Sequence, residues 1–259
     1  VSPLVESIAQ LRIRIAQVQE VNALLRACLN QVADGSPFGA FSVSFSGAIT
    51  LLASAHSSVA NHIDAILALG TFSDPDRCFD YLFDSEDDYG RLLGLANAYE
   101  LACYDDHPIA KGLYYAALDN FYADRAPETP AYVTSLPAKD AEELQQLLTS
   151  SQARRRTWET HRDCALELLR TLTVSGEALR NIRGRITLIH GKDDPVIHSS
   201  ETLALAQSLR NAGRSPQVLV SPLLGHGDPE LRWNDLLQAP ALIRTFAGFF
   251  SDIRTRSTT

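Results

Sequence analysis

Apolar and polar residues along this chain recur with two different periods, and each change of period marks a new element. Ser2-Pro3 precedes Leu4, Ile8, Leu11, Ile15 and Val18, an apolar stripe at helical spacing that continues through Leu24, Leu25 and Leu29. It predicts one long helix over residues 1–30. The turn cluster Asp34-Gly35-Ser36-Pro37 ends that helix. From Phe38 the pattern becomes that of a strand through Phe41-Ser42-Val43, breaks at Ser44-Phe45-Ser46-Gly47-Ala48, and resumes as Ile49-Thr50-Leu51-Leu52-Ala53. Strand, sharp turn and a helix to about Ser54 are expected. Residues 63–70 read as a second, buried strand, and a strand, helix and strand joined in this way require parallel pairing.

Between residue 73 and about residue 184 the texture is helical, rich in Leu, Ala and Tyr and punctuated by Pro108, Pro127, Pro130 and Pro137. No strand pattern interrupts it. Strands return at 186–191 and 217–220, separated by a helix over 200–211, and a closing helix carries Leu236, Leu237, Leu242, Ile243, Phe246 and Phe250. The expected organisation is a sheet-bearing core from 1–72 and 185–259, with 73–184 as a helical insertion.

The 259 residues suffice for one large domain with an insertion or for two modest ones, and the 45% hydrophobic and 21% charged fractions are those of globular proteins. A net charge of -8 argues against a nucleic-acid partner, whose phosphates require clustered Lys and Arg. The one basic run, Arg154-Arg155-Arg156, reads as a solvated helix face. No transmembrane segment is present in this chain. Cys28, Cys78, Cys103 and Cys164 lack paired metal or redox spacing; free, mostly buried thiols in a reducing, cytoplasmic setting are expected. The chain begins at Val1 and contains no methionine, so residues ahead of Val1, or methionine positions that this string does not represent, are expected, and with them any targeting signal.

Chemistry-bearing residues gather just beyond the C-terminal ends of the expected strands, where parallel α/β sheets place functional groups. Ser44 follows the first strand, Asp194 follows the third in His190-Gly191-Lys192-Asp193-Asp194-Pro195, and His226 follows the fourth in Gly225-His226-Gly227-Asp228. Ser46 rivals Ser44, because its own frame also has small neighbours, and Asp193 rivals Asp194. His190 reads as a strand-end residue packing near the site rather than a base. Asp228 reads either as a loop-stabilising carboxylate or as a cap before Pro229. The acidic group Asp84, Glu86, Asp87 and Asp88 lacks the spacing of a calcium loop and reads as a solvated turn; no metal site is expected. Aromatic residues of the insertion, among them Tyr89, Tyr99, Tyr114 and Trp158, have helical spacing more typical of core than of a ligand pocket.

The order Ser, Asp, His with a sharp turn at the serine resembles the α/β-hydrolases from about residue 38 to 72 and again from 185 to 250, and 73–184 resembles their cap. More narrowly, Val43-Ser44-Phe45-Ser46-Gly47 is similar to the turn in a group of bacterial α/β-hydrolases of no settled substrate. The resemblance implies an α/β fold: an α/β-hydrolase-type parallel sheet with helices on both faces and an inserted helical cap. It implies Ser44 as nucleophile, His226 as base, Asp194 as the group orienting His226, and the Phe45 N–H as half of an oxyanion hole, with no cofactor. The implied reaction is hydrolysis of a carboxylic ester or related acyl bond of a small molecule. Acyl transfer by the same triad, or ligand binding without catalysis, are the alternatives. Two departures stand out. The glycines usual on either side of the nucleophile are Ser42 and Ser46, and the strands that normally precede the nucleophile strand are absent from this chain, which makes that strand an edge and leaves the second oxyanion donor unassigned.

Overall fold

Four apolar segments pair in parallel in the order in which they occur: β1 (Gly39–Val43), β2 (Ala65–Leu69), β3 (Arg185–Gly191) and β4 (Gln217–Ser221). They are seen in a computed structural model that describes residues 13–14, 16–33, 35–103, 107–122, 126–224 and 238–254. The helices in chain order are α1 (Gln17–Leu29), α2 (Phe45–Ser54), α3 (Pro75–Asp84), α4 (Asp88–Cys103), α5 (Pro108–Phe121), α6 (Thr129–Ser135), α7 (Ala138–Thr149), α8 (Ser151–Leu169), α9 (Ser200–Asn211) and α10 (Ala239–Arg254). The chain divides into two compact units, Ala16–Cys78 with Leu172–Thr259, and Val1–Ile15 with Phe79–Thr171. The first holds the sheet.

Successive residues of a strand point to opposite faces, so the register decides what each helix covers. Leu67 pairs with Phe41 and Thr187, and Leu69 with Val43 and Ile189. That face receives α10: Ala65, Leu67, Ile189 and Phe249 form a buried cluster, with Leu242, Phe246 and Ile253 packed against it. The opposite face receives α2 and α9. A side chain at Gly47 of α2 would collide with Thr71 beside Ala68, and Thr202 of α9 bonds to His190. The protein is therefore an α/β structure with helices on both faces of a parallel sheet. β1 lies at one edge of the described sheet, and its outward residues Phe41 and Val43 are exposed.

Three sequence expectations need correction. The helix expected over residues 1–30 is not continuous: Ile13 and Arg14 are irregular, Ala16 is in a turn, and α1 starts at Gln17; residues 1–12 lie outside the described part. Its buried face includes Gln17 and Asn22 rather than Leu24, because the Asn22 amide donates to the Ala53 carbonyl at 3.0 Å, an acceptor no leucine could use. Arg154 is not part of a solvated face. It is buried, donating to the carbonyls of Leu147 and Leu148 and to Asp88, and so closes the end of α7 and the start of α4 onto α8. Of the described cysteines, Cys78 is buried but Cys28 is half-buried and Cys164 exposed.

Within the helical unit the core is aromatic. Trp158 is buried and stacked on Phe79 and Phe83, with ring centroids 5.3 and 4.5 Å apart. The acidic group there is absorbed locally: Asp87 accepts from the Gly90 N–H as a helix cap, Asp88 pairs with Arg154, and Asp84 pairs with Arg155.

The segment leaving β2 is tied down by a buried carboxylate. Glu201, in the first turn of α9, is almost wholly buried, and its Oε2 accepts from the Ser73 N–H at 3.0 Å, the Ser73 hydroxyl at 2.8 Å and the Asp74 N–H at 2.9 Å. Arg77 Nε donates to Oε1 at 2.7 Å. Burial alone would raise the Glu201 pKa, but the bonds from Arg77, Ser73 and Asp74 outweigh it and hold the carboxyl below its ordinary value. Removing this carboxylate strands the donors of Ser73 and Asp74, so Glu201→Ala should cost about 2–4 kcal/mol, measurable by chemical denaturation at neutral pH. Because the folded pKa is depressed, the contribution is fully present above the unfolded value of about 4.3 and is lost as pH falls through the lower folded value. The difference in stability between wild type and variant should accordingly shrink below pH ~4.

Candidate active site

β1 passes into α2 through one residue, so Ser44 alone must reverse the chain. It does so at φ 57° and ψ -137°, and among the described residues it is the only non-glycine with positive φ. Such a conformation costs of order 1–3 kcal/mol and persists only where surroundings enforce it. Here they do. The Ser44 N–H donates to the Leu69 carbonyl at 2.7 Å, extending the sheet by one bond, and the Ser44 carbonyl accepts from the Gly47 N–H at 2.9 Å. Gly47 is needed because a Cβ there would lie 2.6 Å from Thr71 Cβ and Oγ1. Residues 47–51 are all buried, locking α2 against the sheet. The Ser44 side chain is half-buried at the mouth of this turn.

The two serines that replace the usual glycines have separate duties. Ser42 is buried on the α2 face of β1, with its hydroxyl 3.4 Å from the Leu67 carbonyl. Ser46 donates its hydroxyl to the Val43 carbonyl at 2.6 Å and accepts from the Val43 N–H at 3.3 Å, so it fastens the turn from outside. Phe45 is the first residue of α2, where peptide N–H groups point out of the helix and the end of the helix dipole favours negative charge. Its ring rests on Phe72, with centroids 4.4 Å apart.

At the same edge of the sheet, Asp194 is buried while Asp193 is exposed. Asp194 Oδ1 accepts from the N–H groups of Val196 and Ile197, both at 2.9 Å, closing a tight turn after β3. Asp194 Oδ2 lies 3.6 Å from Nε2 of the fully buried His190. Gly191 brings the next segment close: a Cβ there would stand 2.3 Å from the Leu224 carbonyl oxygen and 3.6 Å from Asp194 Cβ. The chain beyond β4 thus passes alongside the Asp194 turn as far as Leu224. His226 and Asp228 lie outside the described residues. Among the described residues, two surface cavities, one of about 510 Å³ lined by Asp64, Arg183, Arg185, Arg214 and Asp252, open at the N-terminal edge of the sheet.

Sequence reasoning missed two buried polar groups of this edge, Glu201 and Thr202. A signal existed for Glu201, which sits one and two helical steps before the buried Leu205 and Leu209, on the apolar stripe of α9 where an acid is out of pattern. Among the described residues no group of three His, Cys, Asp or Glu side chains is disposed to hold a metal ion.

No protein-family model matches the chain, and no curated protein does. Solved structures similar to it are α/β-hydrolase-fold proteins. They include a meta-cleavage product hydrolase from Pseudomonas fluorescens IP01, at 15% identity over 82% of this chain and 64% of that one with a TM-score of 0.38. Esterase E22 is 11% identical over 88% of this chain and 66% of its own, with a TM-score of 0.46. A homoserine O-acetyltransferase from Bacillus anthracis is 13% identical over 92% of this chain and 66% of its own, with a TM-score of 0.42. The chain spans just under two thirds of the length of each of these proteins. Likenesses of this size leave the reaction to be argued from the residues.

The strain at Ser44 is open to measurement. Glycine adopts this conformation without steric cost and alanine does not, so Ser44→Gly should be more stable than Ser44→Ala by about 1 kcal/mol. An alanine variant as stable as the glycine variant in urea unfolding would remove the case for a strained turn.

Proposed function

We propose that this chain is a serine hydrolase that cleaves a carboxylic ester or related acyl bond of a small molecule. The observation that carries the reading is the backbone of Ser44: a half-buried hydroxyl held on a strained one-residue turn between a parallel strand and a helix N-terminus. A serine that served only to cap α2 would have no need of positive φ, since caps are made from ordinary extended backbone.

In this reading Ser44 Oγ attacks the acyl carbon as His226 accepts its proton, and the carbonyl oxygen becomes an oxyanion facing the Phe45 N–H. Collapse of that intermediate expels the alcohol, which takes the proton back from His226 and leaves an acyl-enzyme. Water then repeats the sequence and releases the acid. Asp194 orients His226 and stabilises its charged form. Two features support the assignment of Asp194 and His226: the burial of Asp194 in a turn closed by the Val196 and Ile197 amides, and the approach of Leu224, two residues before His226, to Gly191. The same groups would serve acyl transfer if an acceptor other than water reached the acyl-enzyme. Residues 73–184, helical wherever elements are described apart from the short 3-10 turn Arg170–Leu172, are read as the cap.

The test is covalent. A fluorophosphonate probe should label the wild-type chain at one site, and labelling should vanish in Ser44→Ala while persisting in Ser46→Ala. Asp194→Asn should slow labelling and ester turnover by on the order of 10³–10⁴-fold. No labelling of the wild type would point instead to a non-catalytic binding protein, and labelling retained in Ser44→Ala would sink the choice of nucleophile.

A further inference from the structure

The Asp194 turn is held from both sides by one residue, Ile197. Its N–H donates to Asp194 Oδ1 at 2.9 Å, and its carbonyl lies 2.8 Å from His190 Nε2. The His190 ring is wholly buried at the end of β3, a place where a leucine or isoleucine like its neighbours Leu188 and Ile189 would fill space without the cost of burying two polar nitrogens. Both nitrogens are engaged. Nε2 faces two acceptors, the Ile197 carbonyl and, at 3.6 Å, Asp194 Oδ2, so it must carry a hydrogen. Nδ1 lies 2.7 Å from Thr202 Oγ1, which in turn lies 3.5 Å from the Thr71 carbonyl. Thr71 is the residue on which Gly47 of the Ser44 turn rests. One buried polar chain therefore runs from the support of the nucleophile turn, through α9, to the turn that presents Asp194.

We propose that His190 is a positioning residue of this site: its Nε2–H anchors the Ile197 carbonyl and so fixes the direction in which the second carboxylate oxygen of Asp194 points. The inference rests on the reading of Asp194 as the group that orients the base. Oδ1 is committed to the two amides of its own turn, so the carboxylate plane follows the turn, and the turn follows the imidazole. His190 touches no reacting atom and takes no proton from the substrate.

Substitution separates this role from packing. Glutamine can place its amide nitrogen where Nε2 stands and keep the donor, whereas leucine fills the volume without one. In the full chain, His190→Leu should lower the rate of fluorophosphonate labelling and kcat for p-nitrophenyl butyrate by about 10–100-fold with KM unchanged, and His190→Gln should return both to within about threefold of wild type. Thr202→Val, which keeps shape and removes the hydroxyl on Nδ1, should lower kcat in the same sense; it and His190→Gln carry the test if His190→Leu does not fold by circular dichroism. A folded His190→Leu with wild-type rates overturns the proposal alone, as does an equal loss in the leucine and glutamine variants. Absence of Ser44-dependent labelling in the wild type overturns the hydrolase reading, and this inference with it.

Discussion

A strand that becomes a helix across a single residue leaves that residue no ordinary conformation. This constraint organises the sheet-bearing unit. Ser44 sits at positive φ because β1 must stay in register with β2 while α2 turns back over the sheet, and neither can yield: the Ser44 N–H is bonded to Leu69, and α2 is buried along residues 47–51. The close approach at Gly47, the outward clasp of Ser46 on Val43 and the burial of Ser42 are all consequences of holding one strained residue in place. What the arrangement yields is a serine whose Cα–Cβ bond is aimed by a rigid backbone, leaving its hydroxyl only rotation about χ1.

The C-terminal edge of the sheet is polar although it is buried, and each group there has partners. Glu201 gathers the start of the excursion at Ser73 and Asp74, His190 bridges Thr202 and Ile197, and Asp194 closes its own turn. Buried polar groups specify geometry because any other arrangement leaves one of them unsatisfied. A purely apolar edge could pack in several ways. Here the bonds to Ser73, Asp74, Thr202 and Ile197 favour one arrangement, in which the Asp194 turn keeps its place.

Much of this was legible in the sequence, and the reasons are physical. Apolar runs bounded by turn residues located the four described strands, and the helix ending near Ser54 and the helix over 200–211 were found where they are observed because stripe and turn residues agreed. The small residues around Ser44 revealed the turn, since only small side chains tolerate such close approach. The N-terminal helix was overextended because a stripe of leucines says nothing of where burial ends, and α1 buries an asparagine in place of one of them. Arg154 and Glu201 were underread for one reason: a charged side chain inside a protein is explained by partners distant in sequence, which no local pattern contains, whereas His190 stands as read, a strand-end residue packed beside Asp194. Between Asp193 and Asp194 the letters alone left a choice, and burial separates the two.

The order of the strands also dictates an order of events. β1 and β2 are close in sequence and can pair early, but β2 meets β3 only after everything between Leu69 and Arg185 has been gathered into a closed loop, a cost that rises with the logarithm of loop length. The Thr202 contacts with Thr71 and His190, which join the support of the Ser44 turn to the Asp194 side, exist only once that pairing is made. The helical unit, rich in contacts near in sequence, is free to form first and shorten the effective loop. The strained serine therefore belongs to the part of the sheet that can form early, and what must wait for the far side of the insertion is the polar link from its support to the Asp194 turn.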